Sequence, residues 1–171
     1  MLPGLWAVLV AGCGYHSVYA QPDSERLSVQ MGQTLIPDAL AAQSAASGAR
    51  SELAASGLLA SNGDFPRLVI DVLRVDEASR GAHVNASRSS GPLAAGMSIA
   101  VTVRGRIFKA EAQEPALDTG DVRRAVQVNG AADPRVDSAA FDVALRSAAE
   151  RAGRAVARAA LGIPEAADET P

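Results

Sequence analysis

Cysteine and aromatic side chains are scarce in this sequence. Aromatic residues make up 4% of the 171 residues, and Cys13 is the only cysteine. A single cysteine excludes an intramolecular disulfide and any zinc site built from several cysteines. Hydrophobic residues nevertheless make up 48% of the chain, much of it alanine. The sequence therefore predicts one globular domain whose core consists mostly of small aliphatic side chains.

The chain also lacks an excess of basic charge. Its 16 basic and 19 acidic side chains give a formal net charge of −3. Three of the acids, Glu165, Asp168 and Glu169, lie close to the C-terminus. A general nucleic-acid-binding protein would show a concentrated basic excess. The composition therefore argues against a nucleic-acid partner, although it leaves room for a local basic patch.

No hydrophobic run in the sequence is long enough to cross a bilayer. A transmembrane helix needs about 20 apolar residues, and the apolar stretch 2–14 is shorter than that. Instead, the apolar run 5–10 followed by small residues is typical of a secretory signal. Residues 10–13, Val-Ala-Gly-Cys, look like the lipobox of bacterial lipoproteins, in which the cysteine thiol is diacylated and the signal is removed before it. The alternative is a buried N-terminal segment with an incidental cysteine.

The lipobox interpretation divides the N-terminal region into two parts. Residues 1–12 are predicted to be a lipoprotein signal peptide, and residues 13–24 a lipidated tether with Cys13 as the acylated residue. Two or three acyl chains, at about 0.8 kcal/mol per buried CH₂, would hold the protein on a membrane. Gly14 follows the cysteine where an aspartate would resemble an inner-membrane retention signal. The expected location is therefore the periplasmic side of the outer membrane.

Residues 25–163 carry the patterns of a single α/β domain. Alternation of apolar and polar residues predicts half-buried strands, and a near-continuous apolar run predicts a central strand. Apolar residues that recur at spacings of three and four predict helices. The predicted strands cover 27–31, 68–73, 97–108 and 121–129, and the predicted helices cover 38–56 and 134–161.

The order β-α-β-β-β-α predicts an α+β fold in two layers. Each predicted helix has one apolar stripe, so the simplest arrangement buries both stripes against one face of a four-stranded mixed or antiparallel sheet. The polar stretch 76–96, between the second and third strands, is predicted to be a long loop. Residues 164–171 are predicted to form an acidic, disordered tail.

Glycine and proline mark the ends of the predicted helices. Pro37 suits the first turn of the first helix, and Gly57 and Gly162 are predicted to end the two helices. Gly48 lies inside the first helix and costs about 1 kcal/mol relative to alanine, so this helix must rely on packing. Phe141 begins the apolar stripe of the second helix, and Phe141→Ala is expected to cost about 3 to 5 kcal/mol if the side chain is fully buried.

The sequence offers few groups for catalysis. His16 and His83 have no partner at metal-ligand spacing, no glycine-rich phosphate loop is present, and no GxSxG nucleophile motif occurs. Acids near strand ends, such as Asp71 and Asp76, are more typical of turns. We therefore expect no catalytic residue, no metal site and no cofactor, and we predict that the protein is not an enzyme.

The chain resembles the LptE-type LPS-assembly lipoprotein family, as a divergent member. Members commonly begin, after the signal, with Cys-Gly and an aromatic residue, as Cys13, Gly14 and Tyr15 do here. They continue with a strand, a helix introduced by proline and a strand-rich half, which correspond to 27–31, 37–57 and 68–128. The resemblance implies a four-stranded sheet with two helices on one face. It also implies a protein that plugs a large outer-membrane β-barrel, helps this barrel assemble, and binds lipopolysaccharide on its way to the cell surface.

Five cations of the strand-rich half are the candidate ligand-binding residues. Because side chains alternate along a strand, Arg104 and Arg106 share one side of the third strand. Lys109 follows at the end of that strand, and Arg123 and Arg124 lie on the next. The five are predicted to form a basic patch on the sheet face turned away from the helices, where arginine would pair bidentately with lipid A phosphates.

Both the patch and the function have a second interpretation. The arginines of the patch can instead pair with Glu111, Asp118 and Asp121, or with the wall of the barrel. On the first interpretation, replacing Arg104 and Arg106 together weakens lipopolysaccharide binding and leaves the fold intact. The alternative function is that of a periplasmic-facing envelope lipoprotein that binds or regulates a cell-wall enzyme or another envelope complex.

Overall fold

The fold contains four strands and two helices in the predicted order. The structure is a computed structural model that describes residues 25–33, 38–79, 96–111, 114–129 and 134–164. The predicted signal peptide, the tether with Cys13, and nearly all of the predicted acidic tail lie outside these residues. The elements are β1 (Ser28–Met31), α1 (Ala39–Ala55), β2 (Arg67–Ser79), β3 (Gly96–Phe108), β4 (Leu117–Asn129) and α2 (Pro134–Ala160).

The four strands form one mixed sheet in the order β1-β2-β3-β4. β1 runs parallel to β2, whereas β3 is antiparallel to both β2 and β4. The predicted α+β fold with a four-stranded sheet is therefore confirmed. The apolar run in β2 lies between β1 and β3, which is the central position predicted from its sequence.

Both helices pack on the sheet and on each other, α1 against β1 and β2, and α2 against β3 and β4. The shared core is aliphatic. Its largest fully buried side chains are Leu53, Leu68, Ile70, Val72, Ile99, Val101, Val103, Leu145 and Val156. Alanines supply much of the rest on the helix side, including Ala45, Ala49, Ala148 and Ala152.

β2 and β4 are longer than their sequences predicted. β2 continues to Ser79, so the first residues of the predicted loop 76–96 belong to a strand; residues 80–95 lie outside the described part. β4 begins at Leu117, and a bulge separates its first residues from the regular half that was predicted. There, Thr119 and Gly120 lie opposite the single residue Gly105 of β3. Gly120 adopts a φ of 70°, which glycine tolerates without strain.

β1 departs from the predicted alternation. Ser28, expected to face solvent, is buried, and its hydroxyl is satisfied by donating to the carbonyl oxygen of Asp64 at 2.7 Å. Met31, expected to face the core, is 48% exposed. Gly32 ends the strand, as predicted.

Each helix ends in the manner predicted. α1 and α2 are followed by Gly57 (φ 71°) and Gly162 (φ 66°), and the N–H of Leu58 reaches back to the oxygen of Leu53 at 2.8 Å. This pattern is a Schellman motif. At the other end of α1, Asp38 is the N-cap and its carboxylate accepts from the N–H of Ala41 at 3.0 Å. The helix thus begins after Asp38, and Pro37 lies outside the described residues.

The two helices approach each other closely at two glycines. A Cβ built on Gly48 would lie against the carbonyl oxygen of Glu150 and 2.8 Å from its carbonyl carbon. A Cβ on Gly153 would meet the backbone of Ala45 in the same way, again 2.8 Å from the carbonyl carbon. Gly48 therefore compensates for its low helix propensity through packing, as its position in the sequence predicted.

Phe141 is only half-buried, so the condition attached to its predicted stability effect is not met. Leu145, one turn further along α2, is 1% exposed and lies in the core. We expect Leu145→Ala to lower the free energy of unfolding by about 3 kcal/mol, because the vacated volume cannot be refilled. Phe141→Ala should cost less than Leu145→Ala. Val143→Ala, at a site 63% exposed, is the matched control and should stay within about 0.5 kcal/mol. Urea melts that rank Phe141 above Leu145 would contradict this packing of α2.

Candidate functional site

The candidate site is the sheet face turned away from the helices, called here the open face. Side chains on β3 alternate, with Val101, Val103 and Ile107 buried in the core and the residues between them on the opposite side. Arg104 and Arg106 therefore lie on the open face, as predicted. Within the described ranges, neither helix is long and apolar enough to span a membrane.

Arg104 is held by two acids of the neighbouring strand. Its Nη2 lies 2.6 Å from Asp121 Oδ1, and its Nε lies 3.8 Å from Asp118 Oδ1. All three side chains are at least 40% exposed. Water and salt therefore screen the pairs, and each contributes little to stability. The second interpretation of the patch, pairing with Asp118 and Asp121, describes this arginine.

Arg106 makes a different and more buried pair. Its Nη2 and Nε donate to the same oxygen, Asp71 Oδ2, at 2.6 and 3.0 Å. The Asp71 side chain is only 6% exposed. Its other oxygen, Oδ1, is buried without a hydrogen-bond partner in the described part of the chain. A Cβ at Gly32 would fall onto this oxygen, so the end of β1 closes over the carboxylate.

Asp71 is the residue of this face that sequence reasoning missed. It was interpreted as a turn former, whereas the structure places it within β2 and pairs it with Arg104 of β3 in the sheet register. A signal was present in the sequence, since Asp71 is the one charged residue inside the run 68–73. An acid within a central strand must find a cation, because an unpaired buried charge is costly.

The other three cations of the predicted patch are placed differently from one another. Arg123 lies opposite Thr102 on the open face, with its Nε 3.7 Å from Asp76 Oδ2. Arg124 lies opposite the core residue Val101, so it belongs to the helix side and not to the open face. The prediction that Arg124 lies in the open-face patch is therefore wrong. Arg124 has the same parity along β4 as Val122 and Val126, which pack against the core, and this spacing was the overlooked signal. Lys109 lies just beyond the end of β3 and is exposed.

The open face is thus a lattice of alternating charges and not a basic patch. Asp76 also binds Arg74 Nε at 2.9 Å. An acid thus lies beside each of four arginines on the open face, Arg74, Arg104, Arg106 and Arg123. At one end of the face, the Arg67 guanidinium lies 4.2 Å from the centre of the Phe65 ring, and that of Arg106 lies 5.8 Å from the Phe108 ring. Such a surface suits a partner with both charge signs better than one that is purely anionic.

We expect Arg106→Ser to lower the free energy of unfolding by about 2 kcal/mol, because it leaves the buried Asp71 carboxylate without a cation. The loss should be smaller than for a fully buried ion pair, because Arg106 is itself half-exposed. Arg104→Ser, with exposed partners, should cost less than about 1 kcal/mol. The earlier expectation that both substitutions leave the fold intact is therefore revised for Arg106. Urea melts of each variant test the difference. The double variant Asp71→Ser/Arg106→Ser should recover part of the loss, and equal effects of the two single variants would contradict the pairing.

The described residues contain no group of three or more His, Cys, Asp or Glu side chains that could hold a metal ion. The open face itself carries the ion pairs of Arg104, Arg106 and Arg123 and the contacts of Arg67 and Arg106 with aromatic rings.

Neither a protein-family model nor a curated protein matches this chain. Solved structures do. The chain is similar to a "putative lipoprotein" from Caulobacter crescentus, with a TM-score of 0.55 and 13% identity over 80% of this chain and 88% of that one. A minor lipoprotein from Acinetobacter baumannii matches with a TM-score of 0.46 and 15% identity, covering 83% and 96%. Uncharacterized lipoprotein B from Nitrosomonas europaea matches with a TM-score of 0.42 and 10% identity, over 81% of this chain and 86% of that one. The Caulobacter structure shows that this fold occurs in another protein of similar extent.

Proposed function

We propose that the chain is a lipid-anchored lipoprotein of the cell envelope, with Cys13 as its acylated residue. The lipobox-like residues 10–13 supply the modification site. The fold shared with the Caulobacter protein supports the proposal, because that protein carries the name of a lipoprotein. Residues 14–24, at most about 3.5 Å each when extended, would let the domain lie up to roughly 40 Å from the membrane. The Gly14 position supports an outer-membrane location on the periplasmic side.

Within the envelope, we propose that the protein plugs an outer-membrane β-barrel that translocates lipopolysaccharide and helps this barrel assemble. The observation that carries this proposal is the open face, where Arg104, Arg106 and Arg123 alternate with acids and no described element covers the sheet. The interior of outer-membrane barrels is polar. A lumen wall with both charge signs would cover the open face by exchanging ion pairs, which an apolar wall could not do.

Contact with lipopolysaccharide itself is the finer part of the proposal. Lipid A phosphates would compete with carboxylates for the arginines, and the outcome depends on how firmly each is held. Of the five predicted cations, Arg104, Arg123 and Lys109 are available, since Arg104 binds the exposed Asp121, Arg123 lies 3.7 Å from a partly buried Asp76, and Lys109 is exposed. Arg106 is committed to Asp71, and Arg124 lies on the helix side. Replacing Arg104 and Arg123 together by serine should therefore weaken lipopolysaccharide binding at low salt, with little change at high salt.

The alternative partner is a cell-wall enzyme or another envelope complex. The charge-balanced open face favours a protein partner over a glycolipid, and this observation is shared by both proposals. What differs is the kind of protein that covers the face.

Purification of the tagged full chain from membranes in mild detergent separates the two proposals. We expect a large outer-membrane β-barrel protein to be recovered with it, together with lipopolysaccharide, and an untagged strain provides the background. Recovery of a peptidoglycan synthase or hydrolase in place of a barrel would overturn the assembly role and leave the anchor proposal standing.

A further inference from the structure

β4 is the longer of the two edge strands of the sheet. It is 13 residues long and, within the described ranges, hydrogen-bonds to a strand on one side only. The unpaired N–H and C=O groups of such an edge can pair with another strand. The opposite edge is much shorter, because β1 has only four residues. A guanidinium group donates to one carbonyl oxygen on each of these strands, Arg50 Nη2 to Val29 at 3.1 Å and Arg124 Nη1 to Arg123 at 2.7 Å. β4 is therefore the edge available for strand addition.

The side chains in the middle of β4 have a pattern that complements itself. Val122 lies opposite Val103, on the helix side, while the flanking Asp121 and Arg123 lie on the open face. The Asp121 and Arg123 side chains are 52% and 56% exposed. If β4 pairs antiparallel with a copy of itself about Val122, Asp121 of each copy lies opposite Arg123 of the other. Opposite charges at directly facing positions stabilise a strand pair.

We propose that β4 pairs antiparallel with β4 of a second copy of this chain, centred on Val122. The pairing joins two sheets into one and forms two reciprocal Asp121–Arg123 pairs on the open face. Val122 meets Val122 on the helix side. Gly120 lies opposite Arg124, and the missing side chain leaves room for the arginine. The proposal concerns the edge of the sheet and does not depend on the anchor. A paired copy cannot be enclosed in a barrel at the same time, so the pairing describes copies of the chain outside the barrel.

Charge selects this register over its neighbours. Residues that face each other in an antiparallel pair point to the same side, so a two-fold arrangement must be centred on a residue. Centring on Asp121, Arg123 or Arg124 would set like charges against each other at the axis, which is destabilising. Centring on Ala125 would place Arg123 opposite Gln127 and form no ion pair.

Disulfide cross-linking in membranes tests the register. The full chain has one cysteine, Cys13, so the parent chain measures the background. We expect Val122→Cys to give a cross-linked dimer under mild oxidation. Gln127→Cys, exposed on the same strand, should give none, because that position does not face its own copy. A dimer with Ala125→Cys and none with Val122→Cys would overturn the proposal, as would background yield from all three.

Charge exchange in the Val122→Cys chain tests the cause. Arg123→Asp should reduce the dimer at least tenfold, because two carboxylates then face each other twice, and Asp121→Arg should do the same with two guanidinium groups. Co-expression of the two variants should restore the dimer, since each carboxylate then faces a guanidinium; a misfolded variant could not be rescued in this way. Arg50→Asp, an exposed position beside the opposite edge of the sheet, is the control and should keep the parental yield. A mixture that stays monomeric, or full cross-linking of Arg123→Asp alone, would overturn the proposal.

Discussion

The double variant Gly48→Ala/Gly153→Ala should lose about 5 kcal/mol of stability or fail to fold. Each new methyl group would press on a backbone carbonyl of the opposing helix, and a backbone cannot rotate away as a side chain can. Overpacking costs about 1 to 3 kcal/mol per site and more where the neighbours are rigid. A domain near the lower end of the typical range of about 5 to 15 kcal/mol would retain little stability.

Packing and helix propensity predict opposite changes in stability for these two substitutions. Alanine is the better helix former by about 1 kcal/mol per site, so local propensity alone predicts that both substitutions stabilise the protein. Urea or thermal melts followed by circular dichroism measure the outcome. Ser47→Ala and Arg154→Ala, at the exposed neighbouring positions, are the matched controls and should change stability little. A double variant as stable as the parent would show that α1 and α2 do not meet at these glycines.

The second large effect concerns the anchor. Cys13→Ala removes the only thiol that can carry acyl chains, so we expect the protein to remain unprocessed or to appear soluble in the periplasm. His16→Ala, in the predicted tether, is the control and should stay with the outer membrane. Fractionation with a carbonate wash, and the mass of the N-terminal peptide, report the result. A Cys13→Ala protein that still resists the wash in the outer-membrane fraction would contradict the lipobox interpretation.

The parts of the fold that the sequence predicted are those in which local pattern and tertiary environment agree. β3 alternates along its full length because one side packs on helices and the other does not. Gly57 and Gly162 end their helices where glycine is needed for a positive φ. The start of β4 was missed because the bulge at Thr119 and Gly120 shifts the alternation by one residue. The bulge arises from pairing with β3, which no local pattern reveals.

The sequence predicted which cations lie on the open face better than it predicted the acids that neutralise them. The period of two correctly placed Arg104 and Arg106 on the same side of β3. Which acids would neutralise them depended on strand order and register, and the decisive partner of Arg106, Asp71, comes from a strand far away in the sequence. Arg124 was wrongly assigned to the open face, although the same alternation places it on the helix side together with Val122. A patch of cations in sequence thus became a charge lattice once the sheet was assembled.

Site-specific photo-cross-linking in living cells tests the plug proposal most directly, because a plug is surrounded by its partner. A photoreactive residue at Gln127 probes the open face, and one at Gln43 probes the exposed side of α1. The proposal predicts that both positions cross-link to the same large outer-membrane β-barrel protein. Cross-links from one side only, or from either side to a peptidoglycan enzyme and no barrel, would contradict it.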